Sequence, residues 1–168
     1  YVLSNTNTLQ RPSKIYVLMG TDNNESIVSA IITSFARAYG KFNTEVMMRD
    51  MLDRFNADYN VFMNHTDIEK ISYLETISNI NIVIIDYDTE TDEISFVTSS
   101  SITDTINNLT KVNRSTCIIV RSMDSRSMYY FPLIHMNLHL DQNDTVELRF
   151  DHNDKVVRTI VEILNNLI

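Results

Sequence analysis

The side chain best placed for chemistry in this sequence is the hydroxyl of Ser26. An apolar run at residues 15–19 predicts a buried strand, and the polar turn at residues 20–25 leads from it into an apolar helix that begins near Ser26. A hydroxyl there can act as a nucleophile only if an adjacent general base removes its proton. The alternative role is a helix cap, which serine fills well, and the sequence favours it.

Three residues near the end of the chain, His135, His139 and Asp141, are of the types that bind metal ions. Two histidines four residues apart can chelate zinc when they lie on a helix. Here the surrounding residues alternate as in a strand, which would place His135 and His139 about 13 Å apart, too far for one ion. The sequence therefore predicts no metal site and no cofactor.

Cys117 is the only cysteine, so no internal disulfide can form. It lies in the apolar run at residues 116–120, which predicts a buried strand. A reactive thiolate would need a helix N-terminus or a nearby cation, and the local sequence offers neither. We therefore expect Cys117 to pack as a small hydrophobic residue.

Size and composition indicate a single globular domain. The chain has 168 residues, of which 43% are hydrophobic and 21% charged. Its net charge of -8 disfavours nucleic acid as a partner, because phosphate contacts need clustered lysine and arginine. No apolar stretch approaches the roughly 20 residues that span a bilayer, and no secretory signal is visible. Since the first residue is Tyr1, we expect the chain to be a segment of a longer protein.

The order of predicted elements indicates the α+β class. After the first strand, apolar spacing predicts helices at residues 26–39, 44–59 and 66–78; the first should end at Gly40, and the third should begin with a capping box, Thr66 with Glu69. Strands are then predicted at residues 80–85, 93–97, 116–121 and 129–135, with a helical turn at 102–109, an alternating hairpin at 136–150 and a last helix from about residue 151. Helices that cluster before strands are typical of α+β proteins.

Two segments resemble signature segments of the ovarian-tumour (OTU) cysteine proteases. Residues 20–26 resemble the Asp-Gly-Asn-Cys turn that opens the nucleophile helix of that family, and residues 129–133, Tyr-Tyr-Phe-Pro-Leu, resemble its His-Tyr-x-Pro-Leu strand. Residues 73–86 resemble the passage from its third helix into its central strand. The resemblance implies an OTU-like core at residues 15–135, in which a helical lobe flanks a small mixed sheet with residues 80–85 at its centre. Residues 1–14 would be an arm or linker, and residues 136–168 an added hairpin and helix packed on the same domain.

The resemblance places the family's catalytic positions on residues that cannot perform its chemistry. The nucleophile position falls on Ser26, the base position on Tyr129, and the third position on Asn23 or Phe131. A phenol with a pKa near 10 cannot serve as the base at neutral pH. His135 cannot replace it, because six residues of extended strand separate the two by about 20 Å. We therefore expect a pseudoenzyme with no catalytic residues.

An inactive OTU-like domain suggests a structural or protein-interaction role inside a larger protein. Large DNA viruses encode divergent OTU-like segments, and the Asn- and Ile-rich composition is similar, so we expect a viral protein of the virion or the host cytoplasm. Its partners would be other domains or subunits of an assembly. The alternative is a degenerate deubiquitinase-like domain that still binds ubiquitin or a ubiquitin-like protein. The first role predicts exposed apolar surface on residues 136–168, and the second predicts it near Ser26 and Tyr129.

Overall fold

The computed structural model describes residues 2–4, 13–21, 23–36, 41–123, 127–138 and 145–168. They form a mixed α+β structure, which confirms the predicted class. The helices are α1 (Ile27–Ala36), α2 (Thr44–Asp53), α3 (Tyr59–Met63), α4 (Asp67–Ser78), α5 (Ile102–Leu109) and α6 (Lys155–Asn165). The strands are β1 (Val2–Ser4), β2 (Ser13–Leu18), β3 (Asn81–Asp88), β4 (Glu93–Val97), β5 (Thr116–Met123), β6 (Met128–Leu138) and β7 (Thr145–Glu147).

The strands form one mixed sheet in the order β1-β2-β6-β5-β3-β4, with β7 also paired to β6. Only the β3–β5 pair is parallel among the pairs in this sheet of described residues. β6 is the longest strand, and it pairs with β5 along its first half and with β2 along its second. β3 is flanked by β4 and β5, but β5 and β6 occupy the sheet centre, so the prediction of residues 80–85 as the central strand was wrong.

Helices cover both faces of this sheet. Helices α1, α2, α3 and α4 form the expected lobe on one face, where Ile84, Ile119 and Tyr130 of the sheet join their apolar cluster. Helices α5 and α6 pack on the other face, against residues that include Val83, Ile118 and Leu133. The two sets of strand residues alternate in sequence, as side chains on opposite faces of a sheet must.

The single helix predicted at residues 44–59 was wrong, because the chain breaks there into α2 and α3. Asn56 adopts a left-handed conformation with φ of 55°, which asparagine tolerates better than most residues and which a helix interior does not allow. Asp58 then caps α3 by accepting a hydrogen bond from the amide of Val61. The cap of α2 is Asn43, one residue before Thr44.

Other local predictions are confirmed where the structure describes them. Thr66 and Glu69 form the reciprocal capping box of α4, and α5 spans the predicted residues. Within the predicted arm at residues 1–14, Val2–Ser4 pairs with β2 as an edge strand, and residues 5–12 lie outside the described residues. Gly40 and residues 139–144 of the predicted hairpin lie outside the described residues.

Candidate functional site

The turn before α1 is fastened to the backbone of β6 by Asn24. The Asn24 carbonyl accepts a hydrogen bond of 2.7 Å from the amide of Tyr130, and Asn24 Nδ2 donates to the Tyr130 carbonyl at 3.0 Å. Asn24 Nδ2 also donates to Thr21 Oγ1 at 3.2 Å. The strand that begins near Tyr129 therefore runs beside the start of α1.

Ser26 and Asn23 make hydrogen bonds within this turn. Ser26 Oγ accepts a hydrogen bond from the amide of Val28 at 3.2 Å, which is the capping role that the sequence favoured. Asn23 Oδ1 accepts from the amide of Glu25 at 3.1 Å, and the Asn23 carbonyl accepts from the amide of Ser26 at 3.2 Å. Both side chains thus stabilise the entry into α1.

Tyr129 is directed away from Ser26 by the alternation of the strand. Its neighbour Tyr130 packs in the cluster that contains α1, so Tyr129 and Phe131 must point to the opposite face of the sheet. Phe131 lines a cavity on that opposite face. The structure therefore brings the backbones of the matched positions together, but it does not bring the Tyr129 phenol to the Ser26 hydroxyl.

Tyr130 was not predicted from the sequence as a site residue, but its hydroxyl takes part in a polar network. Its hydroxyl donates to Asp67 Oδ2 at 2.7 Å. Arg121, opposite Tyr130 on β5, holds Asp86 through two hydrogen bonds of 2.5 and 2.7 Å. Burial, the hydrogen bond to Asp67 and the charge of Asp67 raise the pKa of Tyr130 to about 12, although Arg121 lowers it. This phenol stays protonated at neutral pH and connects α4 to the sheet.

Cys117 lies on the face covered by α1, with 1% of its surface exposed. Its thiol is 3.9 Å from the carbonyl of Ser34 in α1. This placement confirms that Cys117 packs as a small buried residue.

An apolar groove of about 450 Å³ opens on the other face of the sheet. It lies beyond the N-terminal end of α6, where the C-terminal parts of β3 and β5 are left uncovered by α5 and α6. Apolar side chains dominate its lining, which consists of Leu18, Gly20, Ile85, Tyr87, Thr89, Ile94, Val120, Ser122, Phe131, Leu133 and Val156. Its size and apolar lining are those of a binding site for a small ligand or for side chains of a partner.

The groove is bordered by the outer edge of β4. Among the described residues, no strand pairs with that edge, so its backbone amides and carbonyls are open to a further strand. Ile94 of β4 lines the groove and is 58% exposed. The β3–β4 hairpin around it is acidic, with Asp86, Asp88, Glu90, Asp92 and Glu93. The site therefore combines an apolar groove, an unpaired strand edge and an acidic hairpin.

No protein-family model matches the sequence, and a search of curated proteins finds no significant match. In the part of the chain that the structure describes, no helix is both long enough and apolar enough to cross a membrane.

Proposed function

We propose that this chain is a non-catalytic protein-interaction module with an OTU-like core, and that it binds an extended segment of a partner protein. The observation that carries this proposal is the apolar groove beside the open edge of β4. An extended partner segment can add a strand to such an edge through main-chain hydrogen bonds, while every second side chain enters the groove.

The chemistry of the groove specifies the partner segment. Apolar side chains at alternate positions would pack against Ile94 and Ile85, on the β4 side of the groove. Lysine or arginine at the intervening positions would face the acidic hairpin, because opposite charges across an interface favour association and exclude acidic competitors. The partner is therefore a segment that alternates apolar and basic residues.

The setting of this interaction is part of the same proposal. The resemblance to OTU-like segments and the Asn- and Ile-rich composition support a larger viral protein, acting in the virion or the host cytoplasm. The partner segment would belong to another domain or subunit of the assembly. Exposed apolar surface was expected on residues 136–168, and among the described residues of this segment Ile163, Leu167 and Ile168 are exposed at the end of the chain. Val157, Ile160 and Leu164 instead pack on the sheet.

The absence of catalysis can be tested with ubiquitin substrates. We expect no cleavage of ubiquitin chains, because no general base among the described residues is hydrogen-bonded to the Ser26 hydroxyl. We also expect no adduct with a thiol-trapping ubiquitin probe, because Cys117 is buried. Gel electrophoresis and intact-protein mass spectrometry would detect either product. Cleavage that disappears in the Ser26→Ala variant would contradict this part of the proposal.

The groove can be tested with a designed peptide in which valine alternates with lysine. Ile94→Glu places a charge at the groove mouth, and we expect it to raise the Kd of this peptide by more than about tenfold, which corresponds to about 1.4 kcal/mol. The matched control is Val46→Glu, because Val46 on α2 is 52% exposed and lies outside the groove. Fluorescence anisotropy measures both affinities, and equal losses in the two variants would contradict the proposed site.

Retained ubiquitin binding is the second candidate function. It is favoured by Phe131, which occupies a position matched to the family's catalytic strand and also lines the groove. In a titration with ubiquitin, resonance shifts around Ser26 and Tyr129 would support this candidate. An unchanged spectrum would leave the alternating peptide segment as the ligand.

A further inference from the structure

His135 is buried in β6 with both ring nitrogens unsatisfied. It is 3% exposed, and neither Nδ1 nor Nε2 has a hydrogen-bond partner among the described residues. Buried polar groups in folded proteins are nearly always paired, because an unpaired one loses its hydrogen bonds to water without replacement. We therefore expect either that a ligand binds the lone pair of one His135 ring nitrogen or that the imidazole carries a charge.

Two carboxylates from two other elements lie next to this imidazole. Glu147 stands opposite His135 in the β6–β7 pair, and its Oε2 is 3.4 Å from His135 Nδ1. Asp154, the cap of α6, has Oδ2 at 3.8 Å from the same nitrogen. One donor atom from each of the three residues lies within 4.8 Å of the other two.

The surrounding contacts hold this arrangement in place. Asp154 Oδ1 accepts hydrogen bonds from the Val156 amide at 3.0 Å and from the Tyr16 hydroxyl at 2.9 Å, which leaves Oδ2 facing His135. The Tyr16 ring stacks on the His135 ring with centroids 4.7 Å apart and an interplanar angle of 10°. Such contacts to the ligands are what orient donor atoms in metal sites.

We propose that His135, Glu147 and Asp154 bind one divalent transition-metal ion of the zinc type. In tetrahedral zinc coordination with bonds of about 2.0–2.2 Å, neighbouring donors are roughly 3.3 Å apart, close to the observed 3.4 and 3.8 Å. One imidazole with two carboxylates suits Zn²⁺, Fe²⁺ or Mn²⁺ better than a soft ion such as Cu⁺. Glu147 is half-exposed, so solvent can reach a fourth coordination position.

This ion would fasten β7 and the start of α6 to β6. From the sequence we expected no metal site, because the candidate partners of His135 were His139 and Asp141. Residues 139 and 141 lie outside the described residues. The partners that the fold supplies to His135 are instead Glu147 and Asp154. The competing explanation is a protonated imidazole paired with the two carboxylates, and that arrangement would exclude the ion.

Zinc binding by the untagged, chelator-treated chain tests this proposal. Isothermal titration calorimetry should give one Zn²⁺ per chain, and added Zn²⁺ should raise Tm, because an ion that binds only the folded state stabilises it. Glu147→Gln should weaken the affinity by at least about tenfold and remove the Tm increase. Glu162→Gln, an exposed change on α6, should leave both unchanged.

Two spectroscopic measurements keep the test decisive if Glu147→Gln folds less well. Co²⁺ should give visible ligand-field bands in the wild-type chain, and Zn²⁺ should abolish them by competition. The imidazole resonances of His135 should shift on addition of Zn²⁺. No binding in the wild type, or binding with equal affinity in Glu147→Gln, would overturn the proposal in favour of the protonated imidazole.

Discussion

Ile119→Ala should lower the free energy of unfolding by about 2–5 kcal/mol. Ile119 is fully buried in β5, which lies between β3 and β6, and it packs in the cluster that contains α1. Truncation removes apolar contacts and leaves a cavity that helices on one side and strands on both flanks cannot readily close. Urea denaturation followed by circular dichroism measures the change.

The matched control for Ile119 is Ile94→Ala on the edge strand β4. Ile94 is 58% exposed, so its truncation should change the free energy of unfolding by no more than about 0.5 kcal/mol. Comparable losses at the two positions would contradict the placement of β5 in the sheet interior and of β4 at its edge.

Tyr130→Ala should cost about 3–5 kcal/mol of unfolding free energy, and Tyr130→Phe about 1–2 kcal/mol. The ring is 4% exposed beneath the helical lobe, and the hydroxyl donates to Asp67 at the start of α4. The alanine variant loses ring packing and the hydrogen bond, whereas the phenylalanine variant loses only the hydrogen bond. Tyr129→Phe is the control and should be nearly neutral, because Tyr129 points to the other face.

The pH dependence of stability provides a separate measure of the same phenol. The pKa of Tyr130 rises from 10.0 to about 12 on folding, so the unfolded chain releases this proton at lower pH than the folded chain. The stabilisation is therefore fully present below pH 10 and is lost as the pH rises through 12. The difference between wild type and Tyr130→Phe should shrink over this interval in urea titrations, and a constant difference would contradict the raised pKa.

Local signals in the sequence predicted much of the fold, since they depend on neighbouring residues. The capping box of Thr66 and Glu69 fixed the start of α4, and Asn79, which adopts a left-handed conformation with φ of 58°, ends it. The helix break at Asn56 was missed, because the apolar spacing continues across it and the left-handed residue is one of many asparagines.

The positions of the two candidate sites could not be predicted from the sequence, because they depend on tertiary packing between distant segments. The continuous apolar runs of β3 and β5 predict apolar side chains on both faces, but the groove exists because α5 and α6 cover only part of one face. His135 likewise meets Glu147 and Asp154 only after β7 pairs with β6 and α6 begins beside Tyr16. Ser26 was the exception, because capping is a local interaction, and its role as a cap was predicted correctly.

The location of the bound peptide tests the central claim most directly. In a solution NMR titration with the valine–lysine peptide, we expect the largest shifts at Ile85 and Ile94, together with slower hydrogen exchange of the outward-facing amides of β4. These residues line the groove or its open edge. Shifts confined to the helical face or to the end of α6, or no shifts at all, would contradict the proposed role of the groove.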